Sequence, residues 1–229
     1  MQKNIHSPSF TQVRWGIRYL LFQHIVLPVL LNSLSLLLPV PMSRSALNFL
    51  YYCANFIGMA LIFRRFLLEA VGRTLENLPG TLLFTVLGFG IYWALNAGLS
   101  YVITRLVPAF SNINDGAVTG MLQQWFAPMA FATVVLVPIA EECAFRGIFF
   151  GGLYRQNPVA AYIVSTALFA AVHVSGYVGV VEPGILALCF LQYIPAGLVL
   201  AWAYEGTGNL VAPILIHMLA NALGVVLMR

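Results

Sequence analysis

Seven stretches of about 20 predominantly apolar residues run along this 229-residue chain, and they constrain its fold more than any other feature. Crossing the hydrocarbon core of a bilayer takes ~20 such residues in a helix. Segments 19–41, 46–63, 80–104, 126–152, 158–178, 184–204 and 208–228 each supply a span. Only 11 Lys and Arg and 7 Asp and Glu are present, 8% of the chain, where soluble domains carry about 25%. So few charges cannot cover a globule in water, and the lack of polar tracts excludes disorder. The expected fold class is all-α: a polytopic membrane helical bundle of about seven transmembrane helices.

Between the second and third spans, residues 63–80 place Phe66, Leu67, Ala70, Val71, Leu75 and Leu78 at helical spacing. Arg64, Arg65, Glu69, Arg73 and Glu76 hold the other face, which predicts a short interfacial amphipathic helix. Residues 106–123, with Pro, Gly, Asn and Asp, read as the longest loop. The chain divides into an N-terminal part, 1–123, with the first three spans, and a core, 124–229, that carries the chemistry. With the N-terminus cytoplasmic, Lys3, Arg14, Arg18, Arg64, Arg65, Arg73 and Arg155 lie inside; Arg44, Arg105 and Arg229 lie outside. That bias favours N-in, C-out, with residues 1–18 preceding an uncleaved first span in the cytoplasmic (inner) membrane. Net charge is +4 without a basic run, so membrane lipids rather than nucleic acid are the expected partners. Cys53, Cys143 and Cys189 are far apart within apolar stretches and read as fillers, neither disulfides nor a zinc knuckle.

Charges inside spans are costly, at least ~2.5–3.5 kcal/mol each near the bilayer centre, and they concentrate in the second half of the chain. The fourth span holds Glu141, Glu142 and Arg146. Glu142 and Arg146 are i and i+4, so they can pair on one face while Arg146 reaches a neighbouring helix. Glu141 is rotated about 100° away, leaving one carboxylate structural and one free. His173 is the lone ionisable group of the fifth span, and the seventh carries His217 and Asn221, again i and i+4. Counted from the Arg155 end, these residues lie ~12–24 Å into their helices and can meet in one layer. His24, Asn55, Asn96 and Gln192 read as interhelical hydrogen-bond partners, Phe169 as packing, and Glu182 and Glu205 as solvated charges at span ends.

Glu141-Glu142-x-x-x-Arg146, Phe169-x-x-x-His173 and His217-x-x-x-Asn221 resemble the motifs of the CPBP family of intramembrane proteases. That family includes CAAX prenyl endopeptidases and bacteriocin-processing or self-immunity (Abi-like) proteins. The resemblance spans roughly residues 124–228, is supported by the flanking Gly208-Asn209-Leu210 and Pro213, and holds at all six key positions. It implies an intramembrane endopeptidase in which Glu141 and His173 activate a water while His217 and Asn221 stabilise the oxyanion. Glu142 and Arg146 then give structural support. The implied substrate is a membrane-associated or lipidated peptide, including prenylated C-a-a-X ends, reached through a cytoplasm-facing cavity.

The chemistry suits these residue types: a carboxylate withdrawn from water serves as a general base, and amide or imidazole donors stabilise developing negative charge in a dry site. Two His plus Glu is also a catalytic zinc set, with Glu141, His173 and His217 as the metal ligands. No H-E-x-x-H is present, and a glutamate-activated water is favoured over zinc. Cys143 points about 200° from Glu141, against a cysteine nucleophile. Two rival readings fit the same residues. One is a proton-coupled transporter using Glu141, His173 and His217 as a relay, against which no internal repeat is found. The other is a non-catalytic immunity or scaffold protein that keeps the fold.

Overall fold

A computed structural model describes residues 5–228, and every regular element in it is helical. Lys3 and Arg229, which entered the charge count above, lie outside the described residues. The elements are α1 (Phe10–Leu36), α2 (Arg44–Ile62), α3 (Arg64–Glu76), α4 (Leu78–Leu106), α5 (Ile113–Gln124), α6 (Phe126–Tyr154), α7 (Pro158–Ser175), α8 (Pro183–Thr207) and α9 (Val211–Leu227). Six of them, α1, α2, α4, α6, α7 and α8, are long and apolar enough to cross a membrane. The seventh expected span, α9, is apolar but has only 17 residues. Its start slips from 208 to 211 because Gly208 adopts φ +68°, a left-handed conformation that ends α8 and turns the chain. Asn209 then accepts the Val211 N–H at 2.8 Å to open α9.

The first span starts earlier than its apolar run. Ser9 and Gln12 form a reciprocal capping box, so the helix begins at Phe10 and carries Arg14 and Arg18 on its own first turns. Helix α3 is present but ends at Glu76, short of the expected 80. Asn77 caps the next helix by accepting the Gly80 N–H, and Pro79 sits in that helix's first turn. α3 shows three faces. Phe66, Ala70 and Thr74 are buried in the bundle, Leu68, Val71 and Leu75 are exposed, and Arg65, Glu69, Arg73 and Glu76 line the charged side. This division fits a helix lying at a membrane interface, with lipid, water and protein each served by one face.

The expected long loop at 106–123 is corrected: residues 113–124 form α5. Asn112 caps it, accepting from the N–H groups of Asn114 and Asp115, and Asp115 stands in the first turn. Polar residues and two glycines hide this helix from a search for apolar periodicity. Glu205 is also corrected. α8 runs on to Thr207, so Glu205 is helical and half-buried, and it accepts hydrogen bonds from the hydroxyls of Tyr154 and Tyr162. Glu182 is exposed as expected and caps α8. His24 is exposed and bonds Leu20 O of its own helix, so it joins no neighbour, whereas Gln192 does link helices, bonding Asn112 and Ser100.

α7 and α8 pack closely, with α4 and α9 against α8 and with α6 between α2, α7 and α9. The α7–α8 crossing is tight at Gly197: a Cβ there would lie 2.6 Å from Thr166 Cγ2 and 3.0 Å from Thr166 Cα. Segment 5–9 closes the arginine-bearing end. Ile5 is buried, the His6 N–H donates to Gly208 O at 2.9 Å, and His6 pairs with Glu69 at 2.7 Å while stacking on Phe66. Gly197→Ala is expected to lower stability by about 1–3 kcal/mol through overpacking against backbone. Gly90→Ala, where a Cβ meets no atom within 4 Å, serves as the neutral control. Thermal unfolding of the detergent-solubilised protein checks the difference.

Candidate active site

The fourth span is built to present adjacent carboxylates in different directions. Within α6, π-helical turns at Ala132–Leu136 and Cys143–Phe150 bracket the short α-helical stretch Val137–Glu142, which carries both. Such wide turns shift side-chain register and leave carbonyls open to partners outside the helix. One is used here: Thr133 O accepts from Asn221 Nδ2 of α9 at 2.8 Å.

Glu142 and Arg146 pair as the spacing predicts. Arg146 Nη1 donates to Glu142 Oε1 at 3.0 Å, both side chains are fully buried, and Nη2 donates to Gly197 O of α8 at 3.1 Å. The guanidinium also sits 4.7 Å over the Phe169 ring. Phe169 is thus packing, as expected, but packing for a cation. A further bond was not legible from spacing: His217 Nδ1 donates to the same Glu142 Oε1 at 2.9 Å. Since that oxygen is a carboxylate's, the hydrogen on His217 lies on Nδ1, and Nε2 turns the other way.

His173 is fixed similarly. Its Nδ1 donates to Phe169 O, one turn back, at 2.7 Å, so Nε2 is free to face the site. Both Nε2 atoms point at Glu141. His173 Nε2 and His217 Nε2 each lie 3.9 Å from Glu141 Oε2, a buried oxygen with no direct hydrogen-bond partner among the described residues. The structure therefore brings Glu141, His173 and His217 together. Asn221 lines a small cavity with His173, His217, Phe169, Tyr92 and Tyr193, beside the two imidazoles; Glu141 is not among its lining residues. The cavity holds about 50 Å³, room for water and far below the several hundred Å³ of a typical ligand pocket. A larger cleft of about 640 Å³, lined by Ser7, Arg64, Arg65 and Glu69, lies at the other end of the bundle, away from this cluster.

The donor set has the right elements for zinc, and each imidazole has the partner on its other nitrogen that metal ligands usually show. Its spacing in this structure is wider than a bound ion would set. Tetrahedral zinc with ~2.0–2.1 Å bonds holds its ligand atoms about 3.3 Å apart, against 3.9 Å for both pairs here. A water at ordinary hydrogen-bond length, ~2.8 Å from each atom, fits such a gap.

The layer lies nearer one end of the bundle. His173 is two residues from the end of α7, whereas Arg155 and the α3 arginines belong to the opposite end. Between them stands a core of buried Phe145, Phe150, Tyr204, Leu210 and Ile216. Under the N-in orientation this places the layer towards the outer end, whereas the expected cavity faces the cytoplasm. α5 sits over the site's end: Tyr193 accepts from Asn114 Nδ2 at 3.0 Å and donates to Asp115 Oδ1 at 3.3 Å. Burial pushes the Asp115 carboxyl above its ordinary value, and the bond from Tyr193 opposes the rise. Cys143 is buried and unpaired in a disulfide. Tyr92, Tyr193 and Asp115 escaped the sequence reading because no spacing connects them to the acid–imidazole motifs.

Comparison with known proteins follows the same region. Residues 123–223 match the family model of type II CAAX prenyl endopeptidase Rce1-like proteins. UPF0177 protein YxdF of Lactococcus lactis is 25% identical over 157 residues, covering 66% of this chain and 80% of that protein. The membrane-embedded CAAX protease MroQ of Staphylococcus aureus is 25% identical over 150 residues, covering 62% of this chain and 56% of that protein. No solved structure matches. The resemblance read from the motifs holds across this region, and it supports a membrane protease.

Removing one member of the buried pair leaves an uncompensated charge, a loss of about 3–5 kcal/mol. Glu142→Ala and Arg146→Ala are therefore expected to cut folded yield sharply, while Glu141→Ala leaves it near wild type. Monodisperse protein recovered by size exclusion in detergent is the measure; equal yields for all three would contradict it.

Proposed function

We propose that this protein is an intramembrane endopeptidase that hydrolyses a peptide bond in a membrane-associated peptide with a water activated by Glu141 and His173. The observation that carries the reading is the convergence of Glu141 Oε2 with two imidazole Nε2 atoms, 3.9 Å from each, inside an apolar bundle. In this reading a water sits among these atoms. Glu141 takes a proton as the water oxygen bonds the carbonyl carbon, and His173 Nε2 accepts the water's other hydrogen bond and orients it. The developing oxyanion faces His217 and Asn221. Asn221 has one amide hydrogen engaged by Thr133 O and a second to offer.

His217 donates at Nε2 only when both its nitrogens carry hydrogen, because its Nδ1 hydrogen already serves Glu142. Collapse of the tetrahedral intermediate breaks the C–N bond, and Glu141 returns its proton to the leaving amine. Glu142 and Arg146 hold His217 and α8 in place. No step is assigned to zinc, since the donor separations favour water over a tetrahedral ion. A prenylated C-a-a-X peptide is the substrate suggested by the family's name, and the name of the S. aureus relative points to the same class.

The chain is an integral membrane protein, and we place its N-terminus on the cytoplasmic side of the cytoplasmic membrane. Arg64, Arg65, Arg73 and Arg155 share an end with segment 5–9, which supports that orientation. Membrane-impermeant thiol reagents in intact cells test it. A cysteine replacing exposed Val180 is expected to react, and one replacing exposed Arg65 only after permeabilisation; the reverse pattern would invert the orientation.

Purified protein reconstituted in lipid is to be assayed on a farnesylated C-a-a-X peptide alongside unprenylated membrane peptides. Glu141→Gln and His173→Ala should abolish cleavage with folding intact, and Asn221→Ala should lower kcat about 10²–10³-fold. Exhaustive chelation should leave activity unchanged, with no metal found by elemental analysis. Cutting by Glu141→Gln at the wild-type rate would end this reading.

A further inference from the structure

We propose that Tyr193 is the positioning residue for His173, a role that rests on His173 being one half of the water-activating pair. The His173 ring lies 4.2 Å from the Tyr193 ring at an interplanar angle of 23°, a stacked contact. The Phe169 ring meets His173 at 4.7 Å and 49°, and Phe169 O holds Nδ1. With one nitrogen bonded and one ring face covered, rotation of the imidazole is blocked, and Nε2 is left aimed at Glu141 Oε2.

A stack positions a ring only if the stacking partner is itself fixed, and Tyr193 is. Its hydroxyl is tied to Asn114 and Asp115 in the first turn of α5. The preceding residue, Gln192, is bonded to Asn112 ahead of the same helix and to Ser100 of α4. Three side chains of one short segment thus grip two consecutive residues of α8 next to the catalytic layer. Glu141 cannot impose the alignment, since its nearer oxygen stands 3.9 Å from Nε2, too far for a direct hydrogen bond. Without the stack, the bond to Phe169 O still holds Nδ1, but the ring, with no fixed partner on that face, is free to tilt about it.

Stacking and anchoring separate by substitution. Tyr193→Phe keeps the ring and loses the hydroxyl; Tyr193→Leu loses both. In the reconstituted cleavage assay Tyr193→Leu should lower kcat about 100-fold with KM little changed, as expected for a misplaced catalytic group, and Tyr193→Phe should restore kcat to within about threefold of wild type. A readout independent of turnover is the proton spectrum of histidine-labelled protein in detergent, with His173 assigned through His173→Gln. Its ring protons, shielded by the stacked phenol, should move downfield in Tyr193→Leu and stay in place in Tyr193→Phe. The His24 resonances serve as the reference. Wild-type kcat in folded Tyr193→Leu, or His173 resonances unmoved in it, would overturn the proposal. So would a Tyr193→Phe variant as slow as Tyr193→Leu, which would put the role in the hydroxyl. If the wild-type chain cuts no peptide, the protease reading fails, and the His173 resonances alone decide the placement of the ring.

Discussion

The fully buried Glu142–Arg146 pair is the interaction on which the rest of the structure depends. Neither charge is tolerable in an apolar bundle without the other, so the pair commits α6 to the interior. Both ions then recruit what surrounds them. Arg146 takes Gly197 O from α8 and the Phe169 face from α7, and Glu142 takes His217 from α9. One ion pair therefore fixes four helices relative to each other, and it does so at the depth where Glu141 emerges on a different face.

From that frame the site is assembled by hydrogen bonds that use up the wrong ends of its side chains. Each imidazole spends Nδ1 on a protein acceptor, Phe169 O or Glu142, and so presents Nε2 to Glu141. The same logic explains why packing residues are central here. Phe169 supplies a carbonyl to His173, a ring face to Arg146 and a T-shaped ring contact to His217. A polar site in lipid must satisfy most of its groups from within the protein. Glu142 Oε2, Arg146 Nε and Glu141 Oε2 stay without a direct partner among the described residues, and of these Glu141 Oε2 faces both imidazole Nε2 atoms, a place for water or substrate.

Much of this was legible in the chain. Apolar run length marked the spans, because the bilayer imposes one helix length on every crossing. The i, i+4 spacing placed Glu142 with Arg146 and His217 with Asn221 on shared faces, because a helix repeats every 3.6 residues. Errors gathered where that period carries no information. The polar helix α5 looked like a loop, and Glu205 looked solvated because its tyrosine partners come from α6 and α7.

The sequence by itself determined that this is a helical membrane protein, which helix carries which ionisable group, and which pairs share a face; all of these are local consequences of hydrophobicity and helical period. Only the tertiary structure decided that His217 bonds Glu142, that Tyr193 stacks on His173, that α5 covers the site, and that both imidazole Nε2 atoms converge on Glu141. These depend on how far helices are rotated and displaced against one another. That is set by small contacts such as Gly197 against Thr166, which no spacing along a single chain encodes.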